Sequence, residues 1–174
     1  MSDAHRRRQQ AVPADLASDS GPRERTDLTV IAPAVAREDV DSTGRVGAVA
    51  YPYRVYDAVA TVERPLISDR DIDYVVTVDR SRRLAVRADA FPETATLTVD
   101  DALVIPSELS DTRTREKAED AVFNWTLRKV AAGSAPDVTF ERSVDAYKLF
   151  WIASRPDGDV IVDSVRATES PLDD

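Results

Sequence analysis

No cysteine occurs in the 174 residues of this chain. That excludes a disulfide framework, thiolate zinc sites and thiol catalysis together. The only histidine is His5, inside a polar N-terminal stretch, so serine–histidine machinery and histidine-ligated metals are excluded as well. Five glycines form neither a Walker-type loop nor a GxGxxG fingerprint. No stretch approaches the roughly 18 consecutive apolar residues of a membrane helix, so a soluble cytoplasmic chain without membrane insertion is expected. Lysine is scarce at three against twenty arginines, and nine glutamates stand against twenty-three aspartates. With a net charge of −9, the surface repels polyanions at long range, which argues against general nucleic-acid binding. Enzyme chemistry would have to rest on carboxylates and arginines alone. The sequence therefore predicts no catalytic residues and no cofactor.

What is present is mostly β-forming. Apolar residues make up 43% of the chain, twenty-two of them valine, and valine favours the pleated, half-buried surface of a strand. The length suits one domain with a core of its own. The Asp-over-Glu, Arg-over-Lys, cysteine-free bias resembles the proteomes of salt-in halophilic archaea. A GC-rich genome favours the same codons without any adaptation to salt.

Residues 1–25 read as a disordered arm, with Arg6-Arg7-Arg8, Gln9-Gln10, Pro13, Gly21 and Pro22 and no apolar period. A twin-arginine export signal would need an apolar segment after the arginines, and none follows. From Asp27 the chain turns apolar, although Pro33 limits any strand there to a short or edge piece. Val49 to Val62 carries apolar groups on both parities and predicts a central strand covered on both faces. Strands are predicted at Tyr74–Val78, Arg83–Ala88, Ala95–Val99 and Leu103–Ile105, in an antiparallel meander. A helix is predicted from Ser110 or Asp111 to about Ala132, with Ala118, Ala121, Val122, Trp125 and Lys129 as its stripe and Phe123, Leu127 and Val130 widening it. Gly133 is placed to end it. Strand pieces return at Val138–Phe140 and Ala146–Ser154, and the Arg155-Pro156-Asp157-Gly158 turn leads into Asp159–Val165. Glu169 to Asp174 read as a frayed end, which leaves residues 26–168 as the folded domain.

Two stretches share a template. Tyr53-Arg54-Val55-Tyr56 is echoed by Tyr147-Lys148-Leu149-Phe150, and Val76-Thr77-Val78-Asp79 by Val160-Ile161-Val162-Asp163. This predicts two related strand units side by side in one sheet, with the helix across a face. The expected class is α+β: a mainly antiparallel sheet from two related hairpin units with one long helix packed on it.

Few residues suggest a site. Asp69, Asp71, Asp73 and Asp79 alternate as oxygen ligands for a hard cation would, but the calcium-loop pattern is not met, since Tyr74 stands at its glycine position. A solvated loop is the commoner reason for such a cluster. Asp79 and Asp163 end equivalent strands; paired carboxylates can do acid–base chemistry, and aspartates also open turns by accepting backbone hydrogen bonds. Arg80, Arg82, Arg83 and Arg87 form a basic island that suits a local anion or phosphate site, although pairing with the abundant aspartates is the commoner outcome. Arg83 and Arg87 are predicted to share an exposed face of one strand and to meet a partner there. Tyr147, Phe150 and Trp151 concentrate aromatic mass that suits a partner interface or the core.

Tyr51-Pro52-Tyr53, Tyr147-Lys148-Leu149-Phe150-Trp151 and Val160-Ile161-Val162-Asp163-Ser164 together resemble haloarchaeal proteins of unknown function in which aromatic strands precede a "VD" hairpin, similar to small PepSY-type α+β units. The resemblance covers about residues 49–89 and 145–165. The glycine that often follows the "VD" turn is replaced here by Arg80-Ser81 and Ser164-Val165. The resemblance implies no activity and no site residues. The expectation is a non-catalytic interaction or assembly module, a subunit of a larger complex in a halophilic archaeon, with a protein partner or self-assembly. The alternatives are a structural component of a haloarchaeal virus, with the virion as its location, and a carboxylate-dependent hydrolase or divalent-cation binder.

Overall fold

Alternating side chains from Gly47 to Val62 bury one face almost completely and leave the other mostly half-buried, so this stretch becomes the centre of the sheet but is not covered on both faces as its sequence predicts. The computed structural model describes residues 24–130 and 134–172. Its strands are β1 (Arg25–Ile31), β2 (Gly47–Val62), β3 (Arg70–Asp79), β4 (Leu84–Ala88), β5 (Thr94–Asp100), β6 (Ala102–Val104), β7 (Asp137–Arg155), β8 (Gly158–Asp163) and β9 (Thr168–Pro171), with α1 at Asp111–Lys129. They form one nine-stranded sheet in the order β4-β3-β2-β7-β1-β5. β6 lies beside β2, β8 beside β7 and β9 beside β8. Pairing is antiparallel except for β1 with β7 and β2 with β6. The protein is thus α+β, with one α-helix among the described residues on a mostly antiparallel sheet.

One face of the sheet is the core. Tyr56, Ala58 and Ala60 of β2 join Ile72, Tyr74, Val76 and Val78 of β3 beneath Ala118 and Val122 of α1. Small residues on both sides let helix and sheet approach closely, so the core is dense rather than bulky. Farther along, Ala48, Ala50, Leu149, Trp151 and Val162 pack with Leu28, Val30 and Val99. Burying each of these Val or Leu side chains contributes about 1.5–3 kcal/mol.

The helix is narrower in its apolar line than its sequence predicts. The buried positions are Thr114, Ala118, Val122 and Thr126, while Leu127 is exposed. Threonine fits a buried line because each hydroxyl bonds one turn back, Thr114 to Ser110 O at 2.7 Å and Thr126 to Val122 O at 2.8 Å. Ser110 caps the helix by accepting from the Arg113 amide. The helix start is clamped to the sheet by arginines. Arg80 reaches Asp111 at 2.8 Å, while Arg54 grips Asp145 through two 2.6 Å bonds and also meets Asp111. The Arg54 guanidinium is held charged more firmly than usual, chiefly by its hydrogen bonds to Asp145.

Several expectations need correction. β7 is one strand rather than two pieces, because it pairs with β2 along nearly its whole length and absorbs Glu141 as a bulge opposite Asp57 and Ala58. Residues 168–171 are not frayed but form β9 against β8. Arg83 lies outside β4, in the turn before it, with φ of 60°. Arg25 opens β1 rather than closing an arm; residues 1–23 and Gly133 lie outside the described residues. The Pro156-Asp157 turn does form, and Gly158 takes the φ of 131° that its closing position requires.

The two related units do lie side by side, through the β2–β7 pairing, but in a shifted register. Asp79 pairs with Tyr53, whereas Asp163 pairs with Phe150 and not Tyr147. The turns fix the same correspondence. Arg80 N donates to Pro52 O, and Ser164 N donates to Leu149 O. Tyr53 therefore corresponds to Phe150, and the aromatic half of the sequence match slides by three residues while the Val-x-Val-Asp half stands.

Candidate binding cleft

Each hairpin ends in the same device. Asp79 Oδ1 accepts from the amides of Ser81 and Arg82 at 3.0 and 2.9 Å. Asp163 Oδ1 accepts from those of Val165 and Arg166 at 3.0 and 3.1 Å. The fourth residue after each aspartate, Arg83 or Ala167, turns to positive φ, at 60° and 56°. The carboxylate stands in for a backbone acceptor and lets the chain reverse without glycine. This explains why the "VD" turns here carry none.

The shared register puts both carboxylates on the sheet face opposite the helix. Tyr53, Thr77, Asp79, Leu84 and Val86 point there from β2, β3 and β4 by cross-strand pairing. Lys148 and Phe150 join them from β7, and Asp163 from β8. Residues 89–93 lie over part of this face, where the Arg142 guanidinium stacks 3.9 Å from the Phe91 ring. Between that segment and the two turns lies an open cleft of about 500 Å3, lined by these side chains and by Ile31, Pro92, Arg82 and Arg166 among others.

The two carboxylates reach the cleft already engaged. Asp79 is almost wholly buried and also accepts the Ser81 hydroxyl at 2.8 Å. Asp163 holds Lys148 at 2.7 Å, both side chains being 13% exposed. Tyr53 stands between them. Burial first, then the negative charge of Asp79 and a hydrogen bond to it, push its hydroxyl well above the ordinary tyrosine range, with Asp163 adding to the effect. In the other hairpin Phe150 takes the place of Tyr53 and packs edge-on against Tyr51 at 5.4 Å. Arg82 lies 4.5 Å over the Tyr51 ring and 3.8 Å from Asp79.

The residues singled out from sequence scatter. Asp71 and Asp73 lie on the same face of β3 as Asp79 but toward its other end, and Asp71 accepts the Thr61 hydroxyl at 2.7 Å. Asp69 is exposed in the loop before β3. Among the described residues no group of three or more acidic or histidine side chains gathers to hold a cation. Arg83 pairs with Glu108 at 3.2 Å. Arg87 belongs to the opposite parity of β4 from Leu84 and Val86, and its guanidinium lies 5.0 Å over the Tyr74 ring. The predicted shared face of Arg83 and Arg87 therefore does not exist, because Arg83 is not in the strand. Trp151 is core, 3% exposed, with Nε1 donating to Val35 O at 2.9 Å. Tyr147 packs half-buried against that same core, and only Phe150 of the three aromatics lines the cleft. Of the basic island, Arg82 does line the cleft, while Tyr53, Lys148 and Arg166 were missed as cleft residues. The matching Asp79-Arg80-Ser81-Arg82 and Asp163-Ser164-Val165-Arg166 were the signal that could have added Arg166.

No family model matches the chain, and no curated protein or solved structure proves similar to it. No helix among the described residues is long and apolar enough to cross a membrane.

Proposed function

We propose that this chain is a non-catalytic binding module and a subunit of a larger assembly in a salt-in halophilic archaeon. The observation that carries the reading is the engagement of both cleft carboxylates. Acid–base catalysis needs a group free to take or give a proton within reach of substrate. Asp79 spends itself on the Ser81–Arg82 turn and Asp163 on its turn and Lys148, while Tyr53 holds its proton more tightly than a free tyrosine. What remains accessible is surface: Leu84 and Val86, about half exposed, on a sheet face that can receive another molecule. The aspartate-rich, arginine-rich, lysine-poor composition supports the halophilic setting.

A broad substrate screen in concentrated salt tests this, with Asp79→Asn and Asp163→Asn as controls. The expected result is no turnover by any of the three proteins. Turnover by the native chain that disappears in a still-folded Asn variant overturns the reading and restores a carboxylate-dependent hydrolase.

One observation favours a structural role within such an assembly. Among the described residues β4 pairs only with β3, so its outer edge offers backbone donors and acceptors to another strand. Sizing at high salt tests it: concentration-dependent association lost on a Val86→Pro change supports edge pairing, and a monomer at every concentration rejects it.

A further inference from the structure

The cleft is far less negative than the protein around it. The chain carries −9 overall, yet the charges lining the cleft balance, with Arg82, Lys148 and Arg166 against Asp79, Asp89 and Asp163; Arg87 also borders it, but its guanidinium lies over the Tyr74 ring on the other face of the sheet. Two of those carboxylates, Asp79 and Asp163, are already committed to their turns. Lys148 is likewise spent on Asp163. The cations left to act are Arg82 and Arg166, third residue after the aspartate in each of the two matching turns. Arg166 is exposed and its guanidinium has no partner among the described residues. Arg82 is 48% exposed, stacked 4.5 Å over the Tyr51 ring and with its carboxylate neighbour at a long 3.8 Å. A guanidinium in this state keeps most of its five donors for something else. A concavity that presents two guanidinium groups inside an acidic surface is where a small anion meets the least repulsion.

The rest of the lining is of a different kind. Leu84 and Val86 on one wall and Ile31, Pro92 and Phe150 on the other make an apolar strip beside the arginines. The volume, about 500 Å3, falls in the range of small-molecule sites rather than of a protein footprint. Resting on the binding reading above, we propose that the cleft holds a small amphipathic anion, its carboxylate or phosphate head between Arg82 and Arg166 and its apolar body along Leu84, Val86 and Phe150. The pseudo-symmetric turns supply the two arms of the head site, one from each hairpin.

Calorimetric titration of the full chain, in the salt at which it is folded, tests the proposal. Decanoate, decyl phosphate, inorganic phosphate and decyltrimethylammonium serve as probes below their micelle-forming concentrations. Saturable binding of one or both tailed anions is expected, with much weaker binding of inorganic phosphate and none of the cation. Preference between decanoate and decyl phosphate then identifies the head group. The double variant Arg82→Gln/Arg166→Gln should weaken the tailed anion by about tenfold or more, the scale of lost charge-assisted hydrogen bonds. Val86→Ser should weaken it too, while leaving any phosphate binding unchanged. Thermal melts confirm that each exposed-site variant folds. Absence of saturable binding by both tailed anions overturns the proposal. So does equal binding of the cationic amphiphile, or affinity untouched by the double variant. None of these failures produces turnover, so the non-catalytic reading stands or falls separately.

Discussion

Asp79 and Asp163 close equivalent turns in two hairpins that lie next to each other in one sheet, each with Oδ1 on the amides two and three residues ahead. Their surroundings then diverge. Asp79 faces the Tyr53 hydroxyl, and Asp163 faces Phe150 and takes Lys148 as its counter-charge. The backbone device repeats while the side-chain partner does not.

Stability should register that device directly. Asp79→Ala strands two amides and the Ser81 hydroxyl in a part-buried turn, which costs about 2–3 kcal/mol. Asp79→Asn keeps an acceptor and should lose less than half of that. Asp163→Ala should cost a similar 2–3 kcal/mol, because it also leaves Lys148 without its partner in a largely buried position. Urea unfolding at neutral pH checks the order. Equal losses for Asn and Ala at position 79 would mean that charge, not turn closure, is what the site needs.

Alkaline pH should find Tyr53. An unfolded tyrosine ionises near 10.0 and the folded Tyr53 well above that, so the folded state holds its proton after the unfolded state has lost it. Unfolding then releases a proton between the two values, and stability falls as pH rises through that window. Below 10.0 both states are protonated and the group contributes no slope. Tyr53→Phe should remove this alkaline loss while changing stability at neutral pH far less. Subtracting the variant's 295 nm titration from that of the native chain should give a single step above the ordinary tyrosine range; a step near 10.0 would contradict the burial argument.

Much of this architecture was legible because local chemistry and tertiary packing agreed. The two-parity apolar pattern of Val49–Val62 marked a central strand, and Ser110, Asp111, Arg128 and Lys129 bracketed the helix correctly. What failed to read was whatever depends on a neighbour. Glu141–Asp145 looks like a break until β2 runs alongside it. Thr168–Pro171 looks like a tail until β8 supplies its hydrogen bonds. The three-residue slip between the copies is invisible to a match of residue types, since Tyr147 resembles Tyr53 better than Phe150 does. Parity decides instead: Tyr147 and Trp151 share the core face, and Phe150 alone of the three turns to the cleft. The cleft itself escaped because its lining is gathered from β2, β3, β4, β7, β8 and two turns, and only the pairing of those strands brings Arg82 and Arg166 to the same hollow.

Trp151 separates a core role from an interface role. Trp151→Phe keeps most of the buried ring but leaves Val35 O, which accepts Nε1 at 2.9 Å, without that donor. The expected cost is about 1–3 kcal/mol, with no change in anion binding at the cleft on the other face. Phe150→Ala should act in reverse, weakening a tailed anion more than its stability loss accounts for. A Trp151 change that abolished binding in a folded protein would put the functional face on the wrong side of the sheet.

Salt should stabilise this fold rather than loosen it. Its excess negative charge repels itself across distances of tens of ångströms, and raising ionic strength from about 0.1 M to about 1 M shortens the screening length from about 10 Å to about 3 Å. That removes most of the long-range repulsion. The attractive pairs that matter are shorter than either length and partly shielded from solvent, such as Arg54–Asp145 at 2.6 Å with Arg54 only 16% exposed, so they survive the same change. The balance predicts a melting midpoint that climbs by several degrees with added KCl, in scans that hold pH and protein concentration fixed. Arg54→Leu, which leaves Asp145 and Asp111 without this partner at the helix start, should lower the whole curve without changing its slope. A midpoint that fell with salt would show that exposed ion pairs outweigh net repulsion, and would remove the physical ground for placing this chain in a salt-rich interior.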